Sequence, residues 1–287
     1  MKNSEDKTAD KCTVQLLPII SIVMPTYNTS LEYMKESVES VLKQIFADFE
    51  LLIIDDGSTA MEGIEWIKTL NDSRIHLIHN HHDFIDSLNR GTAESRGKYI
   101  ARMDADDIMM PNRLQVQYDY MEEHTDIDIC GSWMDIFGYY TDTVCLQTKH
   151  KEIASTLLLC NPMAHPTIIL RKSSVCKYGT NLYKKGYECA EDYKLWIDSA
   201  MNGLQFANIA ASLLKYRSSE NQITNRKRKE MLLSSLKIQV EYAEWIMDKM
   251  IEKEKRLFTF FDELIKLCNN GIISISVLIK TVYNFIQ

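Results

Sequence analysis

Two carboxylates two residues apart, Asp104 and Asp106, follow an apolar segment, and a third follows at Asp107. In extended backbone, alternate side chains point the same way, so Asp104 and Asp106 can converge on one ligand. Hard divalent cations take oxygen ligands: Mg²⁺ typically binds one or two carboxylates plus substrate phosphates, and Mn²⁺ accepts similar sites. The alternative is an acidic turn ahead of the helix that follows Pro111. The spacing alone leaves both interpretations open.

Two other polar loops follow apolar segments and are equally ambiguous when taken singly. Asp55-Asp56-Gly57-Ser58 has the residue types of an ordinary turn or helix cap. Pro25-Thr26-Tyr27-Asn28 also fits a turn, although the Tyr27 ring could pack on a base. Their occurrence together with the Asp104 loop favours a shared ligand site.

Three further positions could carry chemistry or merely structure. Glu191-Asp192 opens an amphipathic helix, where a carboxylate could act as a general base or simply complement the helix dipole. His165 and Trp196 are candidate acceptor contacts, with packing as the alternative for both. The histidines near position 80 (His79, His81 and His82) indicate a solvated loop rather than a metal cluster.

The elements that must position these residues alternate between buried strands and amphipathic helices. Apolar runs predict strands at 19–24, 51–54, 74–79 and 99–103, and helical spacing predicts helices at 31–45, 60–70 and 84–95. Such alternation predicts an α/β fold with a mostly parallel sheet and right-handed crossovers. Ligands bind beyond the carboxyl ends of strands in these sheets, which is where the acidic loops fall.

The rest of the chain predicts a second half of the sheet and a helical tail. We expect helices at 112–124, 151–160 and 191–203, and strands at 127–137, 167–170 and 212–217. Apolar spacing then predicts two long helices, one around 232–250 and one at 275–286. The predicted division is a polar lead-in at 1–18, an α/β domain at 19–224 and a helical extension at 225–287.

Composition excludes several classes of protein. The 287 residues are 45% hydrophobic and 25% charged, as in globular domains, and the net charge of −7 argues against a nucleic-acid partner. Seven cysteines without a C-x-x-C pair favour a reducing cytoplasm over disulfides or zinc. Neither a signal peptide nor a transmembrane run is evident in the sequence, so we expect a cytoplasmic protein.

Six segments occur in an order that resembles the family 2 glycosyltransferases. They are SIVMPTYN (21–28), LLIIDDGS (51–58), LNRGTAESRGKYIARMDADDIMMPNRL (88–114), HPTIILRKS (165–173), AEDYKLW (190–196) and LLKYR (213–217). The family comprises inverting, nucleotide-sugar-dependent enzymes with the Rossmann-like GT-A fold. The resemblance spans residues 19–224 and is strongest to bacterial enzymes that build capsule, O-antigen or exopolysaccharide. It implies nucleotide-sugar binding in 19–110 and an acceptor side in 111–224.

The resemblance also implies roles for individual residues. The uridine of the donor would be bound by Pro25, Thr26, Tyr27 and Asp56. Asp106 would bind a Mn²⁺ or Mg²⁺ ion that bridges the diphosphate, and Asp104 would contact the ribose or the hydration shell of the metal. Asp192 would be the catalytic base, with Glu191 beside it as a candidate contact. For three residues ahead of Asp104 (Asn89, Arg96 and Arg102) a donor contact and a structural role are equally compatible with the motif.

One position departs from the family pattern. Many relatives carry a histidine shortly after the Tyr-Arg pair that can assist metal or diphosphate binding, and here Ser219 takes its place. The basic run Arg226-Lys227-Arg228-Lys229 could meet the diphosphate or anionic lipid, or could be a solvated helix start.

The resulting expectation is a metal-assisted transferase that moves a hexose or N-acetylhexosamine from a UDP-sugar to a saccharide or lipid-linked saccharide acceptor. Two alternatives remain open. One is a sugar-nucleotide-binding protein without turnover. The other is a nucleotidyltransferase, although that class has a Gly-rich phosphate loop where this chain has Pro25-Thr26-Tyr27-Asn28. The helical tail could pack on the catalytic domain, contact a membrane interface peripherally or support an oligomer.

Overall fold

The first half of the chain forms four parallel strands joined by helices. The computed structural model describes residues 17–177, 179–220, 227–253 and 255–286. The strands are β1 (Ile20–Thr26), β2 (Phe49–Asp55), β3 (Ile75–His79) and β4 (Tyr99–Arg102), and the helices are α1 (Leu31–Leu42), α2 (Glu62–Thr69) and α3 (Phe84–Glu94). β1 pairs in parallel with both β2 and β4, and β2 pairs in parallel with β3. The predicted alternation is therefore confirmed.

The second half extends the same sheet with mixed strand directions. Its elements are β5 (Ile108–Met109), α4 (Arg113–Glu123), β6 (Ile129–Gly138), β7 (Asp142–Val144), α5 (His150–Thr156), a 3₁₀ turn (His165–Thr167), β8 (Ile169–Arg171), α6 (Lys172–Val175), α7 (Glu191–Met201) and β9 (Phe206–Ser218). The strand order is β3-β2-β1-β4-β8-β6-β9-β5, with β7 paired to β6. β8 runs antiparallel to both β4 and β6, which joins the two halves into one sheet.

Helices cover both faces of the sheet, and the core accordingly has two layers. One layer packs α1, α2 and α4 on the sheet through residues such as Met34, Ile64 and Leu114. The other packs α3 and α7 through Leu88 and Trp196. β1, β2 and β4 are buried along their whole length, as their uninterrupted apolar runs predict. Each large apolar side chain buried in this way contributes about 1.5–3 kcal/mol.

Three helices follow the α/β unit: α8 (Arg228–Lys253), α9 (Lys255–Asn269) and α10 (Ile275–Ile286). One face of α8 carries Ile238, Tyr242 and Ile246 into the core layer that also holds α7. Lys194 of α7 forms an ion pair with Glu241 of α8 at 2.9 Å. The tail therefore packs on the α/β unit, which is one of the roles left open by the sequence.

Several predictions concern residues outside the described ranges. Residues 1–16 of the lead-in, the proposed division near 225 and Arg226 of the basic run lie there. Within the described ranges, every helix is too short or too polar to serve as a bilayer-spanning segment.

Candidate functional site

The carboxyl ends of β1, β2 and β4 place the three polar loops on one edge of the sheet. Thr26 at the end of β1 is in register with Asp55 at the end of β2, and Val23 of β1 is in register with Arg102 at the end of β4. The Asp104 loop begins directly after β4. The co-occurrence of loops that the sequence predicted is therefore a true spatial cluster.

Three carboxylates follow β4 in close proximity. Asp104, Asp106 and Asp107 each offer an oxygen within 4.8 Å of the others. Burial, together with the charge of Asp104, raises the pKa of Asp106 to about 6. Burial and the same neighbour raise the pKa of Asp107 well above its usual range. Such crowding of negative charge is unfavourable unless a cation neutralises it.

Arg102 supplies part of that neutralisation. Its side chain is only 6% exposed, and its Nη1 atom contacts Asp104 Oδ2 in an ion pair. Burial opposes the guanidinium charge, but the pKa of Arg102 is raised because Asp104 lies beside it. Among the described residues, its buried Nε has no hydrogen-bond partner. Arg102 therefore lies at the site, where the sequence left open a donor contact or a structural role.

Asp107 anchors the acidic loop through one of its oxygens. It is fully buried, and its Oδ1 accepts a hydrogen bond from the backbone N–H of Arg217 at 2.8 Å. The Arg217 Nε donates to the carbonyl of Asp106 at 2.7 Å. The Arg217 guanidinium also lies over the rings of Tyr33 and Phe137 and pairs with Glu36. β9 and α1 thus hold the acidic loop through one arginine.

The Glu191-Asp192 pair opens α7 close to the same cluster. Asp192 Oδ2 accepts from Asn161 Nδ2 at 2.8 Å, and Oδ1 accepts from the N–H of Tyr193 at 2.7 Å. Burial raises the pKa of Asp192. Burial and the charge of Asp192 raise the pKa of Glu191 to about 7. The negative charge of Asp104 also raises this pKa, whereas the positive charge of Arg102 lowers it. Asp192 is therefore held in a fixed orientation, and both half-buried carboxyl groups lie beside the acidic loop.

Asp56 and Tyr27 lie together after β2 and β1. Asp56 is buried, and its Oδ1 accepts from the Ser87 hydroxyl at 2.6 Å and from the N–H of Asp83 at 2.8 Å. The His82 ring stacks on Tyr27 with 4.1 Å between ring centroids. The loop after β3 is solvated, as predicted, with the His82 side chain 63% exposed. Strand order places β3 beside β2, so the same loop also reaches Asp56.

Four other residues singled out in the sequence have structural contacts. Asn89 holds the backbone of Tyr183 through two hydrogen bonds of 2.9 Å. Arg96 pairs with buried Glu50 at the amino ends of the strands, on the opposite edge from the acidic loop. His165 is buried with its Nε2 2.9 Å from the Tyr183 hydroxyl, and Trp196 is fully buried. For these residues the structure supports the packing role that the sequence left open, and Trp196 has no surface for an acceptor.

Residues that sequence reasoning missed connect the site to its surroundings. Asn161, Tyr183 and Arg217 contact predicted site residues, yet only Arg217 belongs to a quoted segment. Beneath the acidic loop, fully buried Arg113 donates to the carbonyl of Arg102 at 2.9 Å, and burial lowers its pKa to about 9. Ser219, at the position of the missing histidine, is exposed directly after β9.

Comparison with solved structures identifies the fold. The crystal structure of Staphylococcus aureus TarS 1-349 in complex with UDP-GlcNAc matches with a TM-score of 0.61 at 18% identity, covering 80% of this chain and 70% of that chain. The TarS 1-349 structure in complex with UDP gives a TM-score of 0.58 over 80% and 69%. This architecture, with its acidic loop after the fourth strand, is the GT-A fold.

Comparison of sequences identifies the family. Residues 21–177 match the model described as Glycosyl transferase family 2. An uncharacterized glycosyltransferase of Haemophilus influenzae is 32% identical over 81% of this chain and 76% of its own length. The O-antigen biosynthesis glycosyltransferase WbnJ of Escherichia coli is 29% identical over 71% and 82%, respectively. The chain therefore belongs to glycosyltransferase family 2.

Proposed function

We propose that the chain transfers a hexose or N-acetylhexosamine from a UDP-sugar to a hydroxyl of a growing surface glycan, with inversion at the anomeric carbon. The observation that carries this proposal is the arrangement at one sheet edge of Tyr27 and Asp56, the acidic loop and the Glu191-Asp192 pair. The relationship to WbnJ and the UDP and UDP-GlcNAc complexes of TarS support a glycan product and a uridine donor.

Asp104 and Asp106 fit a divalent cation such as Mn²⁺ or Mg²⁺. Both offer hard carboxylate oxygens in a crowded cluster, and Asp106 keeps part of its side chain accessible. Bound there, the cation would neutralise the charge that develops on the departing diphosphate. Arg102 would contribute fixed positive charge to the same region, since its guanidinium is buried beside Asp104.

Asp192 is proposed as the general base. The acceptor oxygen forms a bond to the anomeric carbon, the bond from that carbon to the phosphate oxygen breaks, and UDP leaves with the electron pair. The hydroxyl proton passes to Asp192. Each of its two carboxylate oxygens accepts one hydrogen bond, from Asn161 or from the N–H of Tyr193, and keeps a lone pair that can accept the proton. Because there is a single displacement, an α-linked donor gives a β-glycoside.

The loops after β1 and β2 are proposed to bind the uridine. Tyr27 is 45% exposed at the end of β1 and offers a ring to a base, while Asp56 offers a buried carboxylate to a ring N–H. Pro25 and Thr26 would set the path of the loop, where Thr26 is buried and its hydroxyl lies 3.0 Å from that of Thr29. The sequence after β1 lacks the Gly-rich phosphate loop of a nucleotidyltransferase, which favours sugar transfer over that reaction.

Placement in the cell remains a prediction. We propose a cytoplasmic protein whose C-terminal helices contact the inner face of the membrane. Exposed Lys227, Arg228 and Lys229 lie at the start of α8, and the helix also exposes three leucines (Leu232, Leu233 and Leu236). Exposed basic and apolar side chains of this kind suit anionic lipid. Vesicle co-sedimentation with and without anionic lipid would test it.

A donor screen tests the proposed transferase. UDP-glucose, UDP-galactose, UDP-GlcNAc and UDP-GalNAc are each incubated with the chain in Mn²⁺, Mg²⁺ or EDTA, and both binding and UDP release are measured. Release from one donor in metal alone supports the proposal and identifies the sugar. Metal-dependent binding without release, even with added saccharide acceptors, favours the non-catalytic binding protein. Failure of all four donors to bind contradicts the UDP assignment.

A further inference from the structure

His82 lies where a nucleobase would bind. Its ring is parallel to that of Tyr27 within 24°, with centroids 4.1 Å apart. Its Nδ1 lies 3.1 Å from Asp56 Oδ2 and 3.1 Å from the Asp56 carbonyl. A planar ring stacked on Tyr27 with a ring nitrogen at the Asp56 carboxylate makes the two contacts proposed above for uracil.

The two rings leave no room for a third between them. A stacked base needs its own van der Waals thickness from Tyr27, and the 4.1 Å separation is already contact distance for one pair of rings. A base can therefore take the face of Tyr27 that His82 covers only when the imidazole has moved. The same movement frees Asp56 Oδ2, because Oδ1 is already occupied by Ser87 and Asp83.

The backbone around His82 is held in place, so the movement belongs to the side chain. Asp83 donates its N–H to Asp56, and Asn80 donates its N–H to the carbonyl of Asp55 at 2.8 Å. Gly57, at a φ of +79°, lets this loop approach closely, since a Cβ there would lie 3.1 Å from the backbone nitrogen of His82. The His82 side chain itself is 63% exposed, so the ring can rotate into solvent.

We infer that the His82 imidazole occupies the nucleobase position of the free protein and must swing away before the donor binds. The inference rests on the proposed uridine function of Tyr27 and Asp56. The His82 ring then competes with the nucleobase for the same position. The apparent affinity for the nucleotide depends on the fraction of molecules in which the ring has moved away. Removing the imidazole makes the base position permanently free.

The test is calorimetric titration of UDP in Mn²⁺ into the wild-type chain, His82→Ala and His81→Ala. His81 is the matched control, since it is the adjacent histidine, is 77% exposed and faces Asp86 at 3.5 Å. We expect His82→Ala to bind UDP about fivefold more tightly, which is the factor for losing one net hydrogen bond of competition, and His81→Ala to match the wild type.

Two further ligands separate this inference from the proposed function. Uridine without metal should show the same gain in His82→Ala, and pyrophosphate with Mn²⁺ should show none, because pyrophosphate has no base. UDP binding by the wild type that is unchanged or weakened in His82→Ala overturns the inference and leaves the uridine assignment intact. Failure of the wild type and His82→Ala alike to bind UDP and uridine contradicts both. Binding by His82→Ala alone supports both.

Discussion

Replacement of Arg102 by Met should destabilise the fold in a way that depends on pH. The Arg102 side chain is 6% exposed and Asp104 is 28% exposed, so the pair is largely shielded from water. Removing one partner of a buried ion pair costs about 3–5 kcal/mol, because the other charge remains buried without compensation. Met retains much of the apolar volume, so most of the loss is expected to be electrostatic.

The sign of the pH effect follows from the neighbouring carboxyl groups. Asp106 and Glu191 already have pKa values raised to about 6 and about 7, and Arg102 is among the charges that lower both. Without Arg102 their folded-state pKa values rise further above the unfolded-state values. The added destabilisation is therefore complete above the folded-state pKa values of Asp106 and Glu191. It decreases as the pH falls and these two carboxyl groups take up protons. We expect the loss to be about 1 kcal/mol smaller at pH 5 than at pH 8.

Urea unfolding in EDTA, followed by circular dichroism at pH 5 and pH 8, measures both quantities. The control is Arg74→Met, which breaks a pair with Asp72 at 2.7 Å in which the arginine is 29% exposed. Because this pair is partly exposed, the control should lose about 1 kcal/mol or less. Arg74 lowers the pKa of Asp72, so the loss should not depend on pH between 5 and 8. A loss below about 0.5 kcal/mol for Arg102→Met, which is the size expected of an ordinary surface substitution, would refute the reasoning. A loss that grows toward pH 5 would refute it as well.

Further predictions concern the base, the metal ligand and the packing. Asp192→Asn should reduce transfer by about 10²–10⁴-fold and leave UDP affinity nearly unchanged, with exposed Asp119→Asn as the control; normal turnover would remove Asp192 from the proposed role. Mn²⁺ affinity, measured by titration in UDP, should fall as the pH drops through about 6, because Asp106 must lose its proton to bind metal; a flat profile from pH 5 to 8 contradicts this. Gly91→Ala should lower stability by about 1–3 kcal/mol in urea unfolding, since its Cβ would lie 2.4 Å from Val23 Cγ1, and an unchanged midpoint would contradict that close approach.

The sequence predicts the parallel half of the fold well because its signals are strong there. β1, β2 and β4 are uninterrupted apolar runs, and a strand buried on both faces has that pattern. β5 and β7, with two and three residues, are too short for any periodicity and were not predicted. β9 begins at Phe206, six residues before the predicted strand, because its first residues lie beside β6 and their burial depends on that partner.

A site residue could be predicted where it directly follows a strand. It could not be predicted where the order of strands in the sheet determines which residues come into contact. Arg96 and Arg102 stand in one motif, yet Arg96 precedes β4 and Arg102 ends it. Arg96 therefore pairs with Glu50 at the amino edge, and Arg102 pairs with Asp104 at the site. His82 follows a strand like any other loop residue. Only the pairing of β3 with β2 brings its imidazole to Asp56. Long-range pairing of this kind leaves no local pattern in one sequence.

The most direct test of the proposed metal-assisted donor site is calorimetric titration of UDP into the wild-type chain and Asp106→Ala, each in Mn²⁺ and in EDTA. Asp106 lies in the carboxylate cluster after β4, beside the loops proposed to hold the uridine. We predict that the wild type binds UDP more tightly in Mn²⁺ than in EDTA and that Asp106→Ala binds equally in both. Identical wild-type titrations with and without Mn²⁺ would contradict a metal bridge between Asp106 and the diphosphate.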